Sequence, residues 1–327
     1  FTYVREGRRF ESEIGTKLTL LIMIIRDKIV YVYDIEVFPN VFHCTVKNTE
    51  TGELHKFEIS CRRNQLDELV NFFHTVNTDY TFGDLYTTKI QLNTDKLFCG
   101  YNNLHYDNPI INYIIDYYVV MKYKGYRDIC ISIFNLSKVI TTSSEDDIRA
   151  WSKWKYMICF DSFDILTMLY SNKLRVGLKE IQVTMQYRNV QEFVADWQAD
   201  LPENQIDSMI DYNINDVNST EELLNRCKKD IDLRIAIEDE YGVRVLSKDG
   251  VNIGMKILTQ KYLEKTGQTW RDIKDLRSPM SVIPLNNVIL PFIKYDSPIL
   301  TRVLDDMKSQ IVSPGRKGYE NKFVFEG

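Results

Sequence analysis

The run Lys28-Ile-Val-Tyr-Val-Tyr-Asp34 sets the frame for the whole chain. Its β-branched and aromatic residues suit a central strand. Strand-like runs at 41–47 and 53–59 follow, separated by the polar segment Asn48-Thr-Glu-Thr-Gly52 with its turn glycine, and the three predict a β-meander. The apolar pattern then becomes helical, with Leu66, Leu69, Val70 and Phe73 on one face of a helix predicted over 65–76. A short buried strand at 97–101 leads into a helix over 108–118, with Pro109 in the first turn, where a missing N–H costs nothing. A second strand, 156–161, feeds a helix ending at Leu169 and capped by Ser162 or Asp164. A short helix at 178–185 and a long one from near Pro202 to Leu224, resuming after a break as far as Tyr241, complete the pattern. A meander followed by strand–helix alternation predicts a mixed α/β sheet flanked by helices.

Residues 27–241 are expected to form this domain. Residues 1–26 read as an N-terminal extension, because the first 22 contain no methionine and Met23 runs straight into the first strand. Beyond Tyr241 the pattern loosens. A helix at 253–264, an aperiodic stretch at 279–293, a helix at 299–311 and a closing strand-like run make 242–327 a mostly helical extension that reads as a truncated continuation.

With 327 residues, 44% of them hydrophobic, the chain can bury a sizeable core. No run approaches the roughly 18 apolar residues of a membrane helix. The longest, Leu18–Ile25, is interrupted by Thr19 and closed by Arg26-Asp-Lys28 with no signal-peptide cleavage site, so a cytoplasmic location is expected. Six cysteines without a C-x-x-C pair and only four histidines argue against structural zinc and thiol chemistry. The net charge of −5 argues against a protein that coats nucleic acid but allows one that holds a strand end in a local groove. Basic clusters such as Lys122–Arg127 and Arg226–Lys229 read as solvated surface.

Acidic residues fall at three telling places. Asp34 and Glu36 alternate on one strand and so point to the same side. Tyr212 and Asp216 lie one turn apart on one helix face. Asp107, opening the helix after strand 97–101, adds a carboxylate from a third direction. Together they predict an oxygen-lined pocket suited to Mg²⁺ or Mn²⁺. Two such ions about 4 Å apart stabilise both the attacking and the leaving oxygen of a phosphoryl displacement, and they relieve the repulsion among crowded carboxylates. The reaction this predicts is phosphodiester hydrolysis. Asp34-Ile-Glu36 is the only D-x-E in the chain, while a tyrosine four residues before an aspartate also occurs at Tyr80 and Asp84, inside a segment with Gly83 that reads as a loop. Asp161 and Asp164 read as caps or hydrogen-bond partners rather than ligands.

The most specific segment is Gly100-Tyr-Asn-Asn-Leu-His-Tyr-Asp-Asn-Pro109. It resembles the G-Y-N-x-x-x-[FY]-D-x-P motif of the 3′→5′ exonucleases with four acidic residues and a tyrosine, specifically the proofreading domain of phage-type family B DNA polymerases. Asp34-Ile-Glu36 matches the first motif of that family and Tyr212-Asn-Ile-Asn-Asp216 the third, in the same order and at similar spacing. Phe160-Asp-Ser-Phe-Asp164 followed by Leu178-Lys-Glu resembles the stretch between the second and third motifs, so the likeness covers about residues 29–225. His105-Tyr106 and Val37-Phe38 depart from the commonest family residues.

The resemblance implies a ribonuclease-H-like fold and two Mg²⁺ or Mn²⁺ ions. Asp34, Glu36 and Asp216 would hold the metal that carries the attacking water, with Asp34 shared, Asp107 supporting the second metal and Tyr212 orienting the water. It further implies Phe38, Asn102, Asn103 and Tyr106 as contacts to a single-stranded or frayed DNA 3′ end. The implied setting is a host cytoplasm if the protein is viral, with a polymerase core in the same or a separate chain and no membrane. No D-x-x-S-L-Y-P-S-like or Y-x-D-T-D-S-like polymerase motif is present, so this chain is not expected to polymerise. A free-standing DNA or RNA exonuclease and a non-catalytic nucleic-acid-binding module are the alternatives.

Overall fold

The computed structural model describes residues 24–25, 27–74, 95–142, 150–170, 176–273 and 282–313. Strands β1 (Ile24–Ile25), β2 (Lys28–Val37), β3 (Phe42–Asn48) and β4 (Leu54–Ile59) come first, followed by α1 (Leu66–Phe73) and β5 (Lys96–Gly100). Helices α2 (Asp107–Asp116), α3 (Tyr118–Met121), α4 (Tyr126–Thr142) and α5 (Ser152–Tyr156) lead to β6 (Ser162–Asp164). Next come α6 (Ile165–Tyr170), α7 (Leu178–Thr184), α8 (Ile206–Arg226), α9 (Lys228–Tyr241) and α10 (Gly250–Thr266). The last elements are α11 (Trp270–Ile273), β7 (Ile283–Pro284), α12 (Pro298–Lys308) and β8 (Ile311–Val312). Two compact units divide between Leu258 and Thr259, where the sequence reading put the boundary at 241/242. Val243, Val245 and Ile253 are buried together in the first unit, which is why it extends past Tyr241.

The first unit is built on a mixed sheet of order β4-β3-β2-β5-β6, with β1 paired to the start of β2. β2, β3 and β4 form the antiparallel meander, and β5 and β6 run parallel to β2. The α/β class and the meander therefore agree with the sequence reading. Val32 and Cys99 are the last pair between β2 and β5, so Tyr33–Val37 of β2 runs on past that pairing. Ile25 pairs with Lys28 and is buried, which assigns residues 24–25 to the sheet rather than to an extension reaching 26. Residues 1–22, the Tyr80 and Asp84 pair and the closing run 323–327 lie outside the described residues.

Alternation along β2 sends its side chains into two different interiors. Tyr31, Tyr33, Ile35 and Val37 join a cluster with Phe73, Phe98 and Phe160. Val30 and Val32 join another with Phe163, Ile181, Val217 and Leu224. The aromatic cluster is tightly interlocked: Phe73 stacks on Phe98 at 4.5 Å between ring centroids, and Tyr33 meets Phe73 edge-on at 5.4 Å. Helix α8 covers the opposite face, packing on β2 and β3. Lys47 of β3 ties down its middle through Asn218 (2.8 Å) and Glu221 (2.7 Å).

Two elements differ from expectation. The strand expected at 156–161 is instead helix α5 and an irregular link, and β6 forms at Ser162–Asp164. The reason lies in α2: Asn112 donates to the carbonyls of Trp154 (2.9 Å) and Met157 (2.8 Å), and Asp116 accepts from Lys153 (2.6 Å) and the Trp154 indole (2.9 Å). Helix α4 is not expected from its composition, because its isoleucines and threonines favour strands. Yet Ile129, Cys130, Ile133, Leu136 and Ser137 are buried at helical spacing against the aromatic face.

The second unit holds the end of α10, then α11, α12 and a small antiparallel ladder of β7 with β8. Pro298 starts α12 at the position where proline is tolerated. The helix stops at Lys308 rather than Ile311, because Ile311 pairs with Pro284. Among the described residues no helix is long and apolar enough to cross a membrane.

Candidate active site

Asp34 and Glu36 lie on the part of β2 that outruns β5, on the face under α8. Asp107 reaches the same place from α2, accepting the backbone N–H of Ile35 and its own N–H. A tight turn makes that approach possible. A Cβ on Gly100 would stand 2.7 Å from the Asn103 Cβ and 3.3 Å from the Tyr33 carbonyl oxygen, so only glycine fits. Asn102 has φ of +66°, the left-handed region that asparagine tolerates best after glycine. The buried carboxylate of Asp164 holds the turn, accepting N–H groups of Asn102 (3.0 Å) and Leu104 (3.3 Å), and it also caps α6 through Leu166 (2.8 Å). Asp161 pairs with Lys28 at 2.6 Å. Asp161 thus serves as an ion-pair partner and Asp164 as a cap, and the Asp164 charge also raises the Asp107 carboxyl.

Helix α8 brings the remaining pair. The Tyr212 hydroxyl donates to Asp216 one turn on, and Asn213 donates to Asp34 Oδ2 at 2.7 Å. Lys179 and Gln182 of α7 both donate to Asp216 Oδ1, the glutamine at 3.0 Å. The Lys179 ammonium also sits 4.4 Å from the centroid of the Tyr212 ring, a cation–π contact. Asp34, Glu36, Asp107, Asp216 and Tyr212 thus meet at one place. Lys179, Gln182 and Asn213 are additional members that the sequence reading left without a role.

The electrostatics are those of crowded, desolvated anions. Burial pushes the Glu36 carboxyl up to about 8 and that of Asp107 up to about 7. Asp34 is raised well above the carboxylate range, first by burial and then by Asp107, Glu36 and Asp216, while Lys179 pulls it down. Burial and the neighbouring acids also raise the Tyr212 phenol, so it stays protonated at neutral pH. His43, directly across the ladder from Glu36, gives no relief: burial lowers it to about 4 and keeps it neutral.

Buried oxygens of Asp107 (Oδ1), Asn213 (Oδ1) and Gln182 (Oε1) have no hydrogen-bond partner. Orphan oxygens beside mutually repelling carboxylates form a hard, anionic donor set that suits Mg²⁺ or Mn²⁺. Among the described residues no group of three or more Asp, Glu, His or Cys side chains is arranged around a single ion position. The ammonium of Lys179 supplies positive charge to the cluster instead.

Three of the four expected strand contacts face inward. Asn103 is fully buried and donates to Asn108 Oδ1 at 3.2 Å, serving the turn. Tyr106 directs its hydroxyl to Ser137 at 2.7 Å. Phe38 is fully buried beneath the indole of Trp197, stacked at 4.4 Å. Asn102 and Tyr106 keep partial exposure, while Asn103 and Phe38 are buried. The signal for this arrangement was aromatic content in the stretch 193–197, which carries no periodicity to give it away. Compared with known proteins, the chain matches no family model and no curated sequence.

Proposed function

We propose that this protein is a metal-dependent 3′→5′ exonuclease of ribonuclease-H-like fold that releases nucleoside monophosphates from DNA 3′ ends, as the proofreading part of a family B DNA polymerase. The observation that carries the reading is the meeting of four carboxylates and a tyrosine from β2, α2 and α8 in one largely buried cluster. A meander continued by two parallel strands, with the acids at the end of the central strand, is the topology the reading requires.

Asp34, Glu36, Asp107 and Asp216 would hold two Mg²⁺ or Mn²⁺ ions, which when bound supply positive charge to the attacking and leaving oxygens. The protein's own groups do the positioning. Tyr212, protonated and anchored by Asp216, orients a water toward the terminal phosphorus, acting as a hydrogen-bonding post rather than a base. Asn213 fixes the carboxylate plane of Asp34. Water oxygen bonds to phosphorus and releases a proton to solvent, the bond from phosphorus to the 3′-oxygen of the preceding nucleotide breaks, and that oxygen takes up a proton from solvent. The Lys179 ammonium, already inside the cluster, can offset charge on the pentavalent phosphoryl group.

The Lys179–Asp216 pair also favours a second reading, a strand-binding module in which the ammonium replaces the metals permanently. Digestion of 5′-labelled single-stranded DNA in Mg²⁺ separates the two. The exonuclease reading expects a ladder shortening from the 3′ end, lost in Asp34→Ala with binding retained. Absence of any metal-dependent digestion sinks it, and faster digestion of matched RNA redirects it to a free-standing RNA exonuclease.

A further inference from the structure

The segment 189–201 between α7 and α8 has no regular structure, yet it is clasped at both ends. At one end Asn215 of α8 donates to the Asn189 carbonyl (2.9 Å) and accepts from the Asn189 side chain (3.0 Å). At the other, Asn40 donates to the Leu201 carbonyl (2.9 Å) and accepts the Leu201 N–H (2.8 Å). Two buried hydrophobic anchors, Leu201 and Ile206, hold the same end against Phe38 and Val41.

Between the clasps, two aromatic rings are set in defined places. Phe193 lies 5.9 Å from the Tyr212 ring, and Trp197 stacks on Phe38 at 4.4 Å with 21° between the planes. Phe38 is fully buried, whereas Trp197 keeps 38% of its surface exposed. Trp197 is thus an indole held flat on a rigid ring with surface left over, a geometry suited to stacking a further planar group. Phe38 directly follows the last residue of β2, two beyond Glu36, and carries the stacked indole at that end of the strand.

We propose that Trp197, backed by Phe38, is the base-stacking platform of this site and takes a nucleobase at or next to the strand's 3′ end. It fills the place in which the sequence reading set Phe38. The ligand is a nucleobase of single-stranded DNA, because stacking tolerates any base and no hydrogen-bonding group has to be matched. The inference rests on the exonuclease reading. Phe193 takes the edge of the indole at 6.2 Å and steadies the Tyr212 ring at the same time, so platform and water-orienting hydroxyl share one support.

The test uses the full chain carrying Asp34→Asn to stop turnover, Mg²⁺, and a 5′-fluorescein single strand followed by anisotropy. Trp197→Leu, which still covers Phe38, is expected to weaken binding about tenfold, and Trp197→Phe to restore most of it. The penalty of Trp197→Leu is expected to vanish when an abasic residue replaces one of the last three nucleotides, as a direct contact requires. An unchanged affinity, or an equal loss on base-bearing and all abasic strands, assigns Trp197 to packing alone and overturns the proposal. Failure of the Trp197-containing protein to bind any strand overturns the exonuclease reading itself, and the platform with it.

Discussion

The two faces of β2 are built from one strand to opposite ends. One face carries Tyr31, Tyr33, Ile35 and Val37 into an aromatic interior, where Tyr31 and Tyr33 lie against the rings of Phe72, Phe73, Phe98 and Phe160. The other begins as apolar Val30 and Val32 and finishes as Asp34 and Glu36, which neighbouring acids repel and beside which oxygens of Asp107, Gln182 and Asn213 stand unpartnered. The first face is apolar throughout, whereas the second passes from apolar packing to unfavourable electrostatics along its length. The same pleat that separates them by a strand's thickness allows the second face to be poised for chemistry, because the first holds the backbone still.

Substitutions on either face test whether the two roles are separate. The largest effect is expected from Asp34→Ala, a fall in digestion rate of at least about a thousandfold. Its melting temperature in EDTA should stay level or rise, since one of four crowded carboxylates is gone. A rate within tenfold of the original would show that the acidic face is not where the chemistry happens. Phe98→Ala should behave in the reverse sense, costing about 3–5 kcal/mol by cavity formation and roughly 10 °C of thermal stability. Its rate per folded molecule, measured well below the melting point, should change by less than about threefold. A loss of rate as large as the loss of stability would mean that the two faces are not separable.

Smaller effects sharpen the second face. Lys179→Met should lower kcat by about tenfold to a hundredfold. It should also lower the Mg²⁺ concentration needed for half-maximal rate, because a competing cation has left the cluster. A higher Mg²⁺ requirement would show instead that the ammonium helps to shape the metal site. The smallest effect is one of pH on the metal-free protein. Glu36 and Asp107 titrate near 8 and 7 in the fold, against about 4 when unfolded, so the folded state binds more protons between those limits. Stability from these groups is present below about pH 4 and is lost as pH rises towards 8. In EDTA the melting temperature should therefore drop by a few degrees between about pH 5 and 8, and Mg²⁺ should reverse the drop at the alkaline end. A rise over that interval would contradict the buried, uncompensated state of these acids.

Much of this was legible in the sequence where local chemistry and pattern agree. Alternating β-branched residues marked β2, and the glycine and asparagines at 100–103 marked a turn that only such residues make. What was illegible depends on who packs against whom. Helix α4 is composed of strand-forming residues and is helical because its isoleucines fill the aromatic face. The strand expected at 156–161 gives way to Asn112 of α2, which takes the carbonyls of Trp154 and Met157. Lys179 is one lysine among many until α7 lays it on Asp216. Asn103 and Tyr106 sit in the right segment to touch a strand but are turned inward by Asn108 and Ser137, partners that no spacing rule identifies.

The unequal lengths of β2 and β5 have a consequence of their own. Past Val32 the central strand has lost its parallel neighbour, and the N–H of Ile35, which a longer β5 would have claimed, is taken by Asp107. The acidic pocket is thus a notch cut into the edge of a ladder, and its existence is a matter of strand length before it is a matter of residue identity. A chain with every carboxylate in place but two more residues in β5 would zip the notch shut. Conversely, any protein that shortens one parallel strand beside a longer partner leaves a backbone donor waiting for an acid, the first foothold from which such a site can grow.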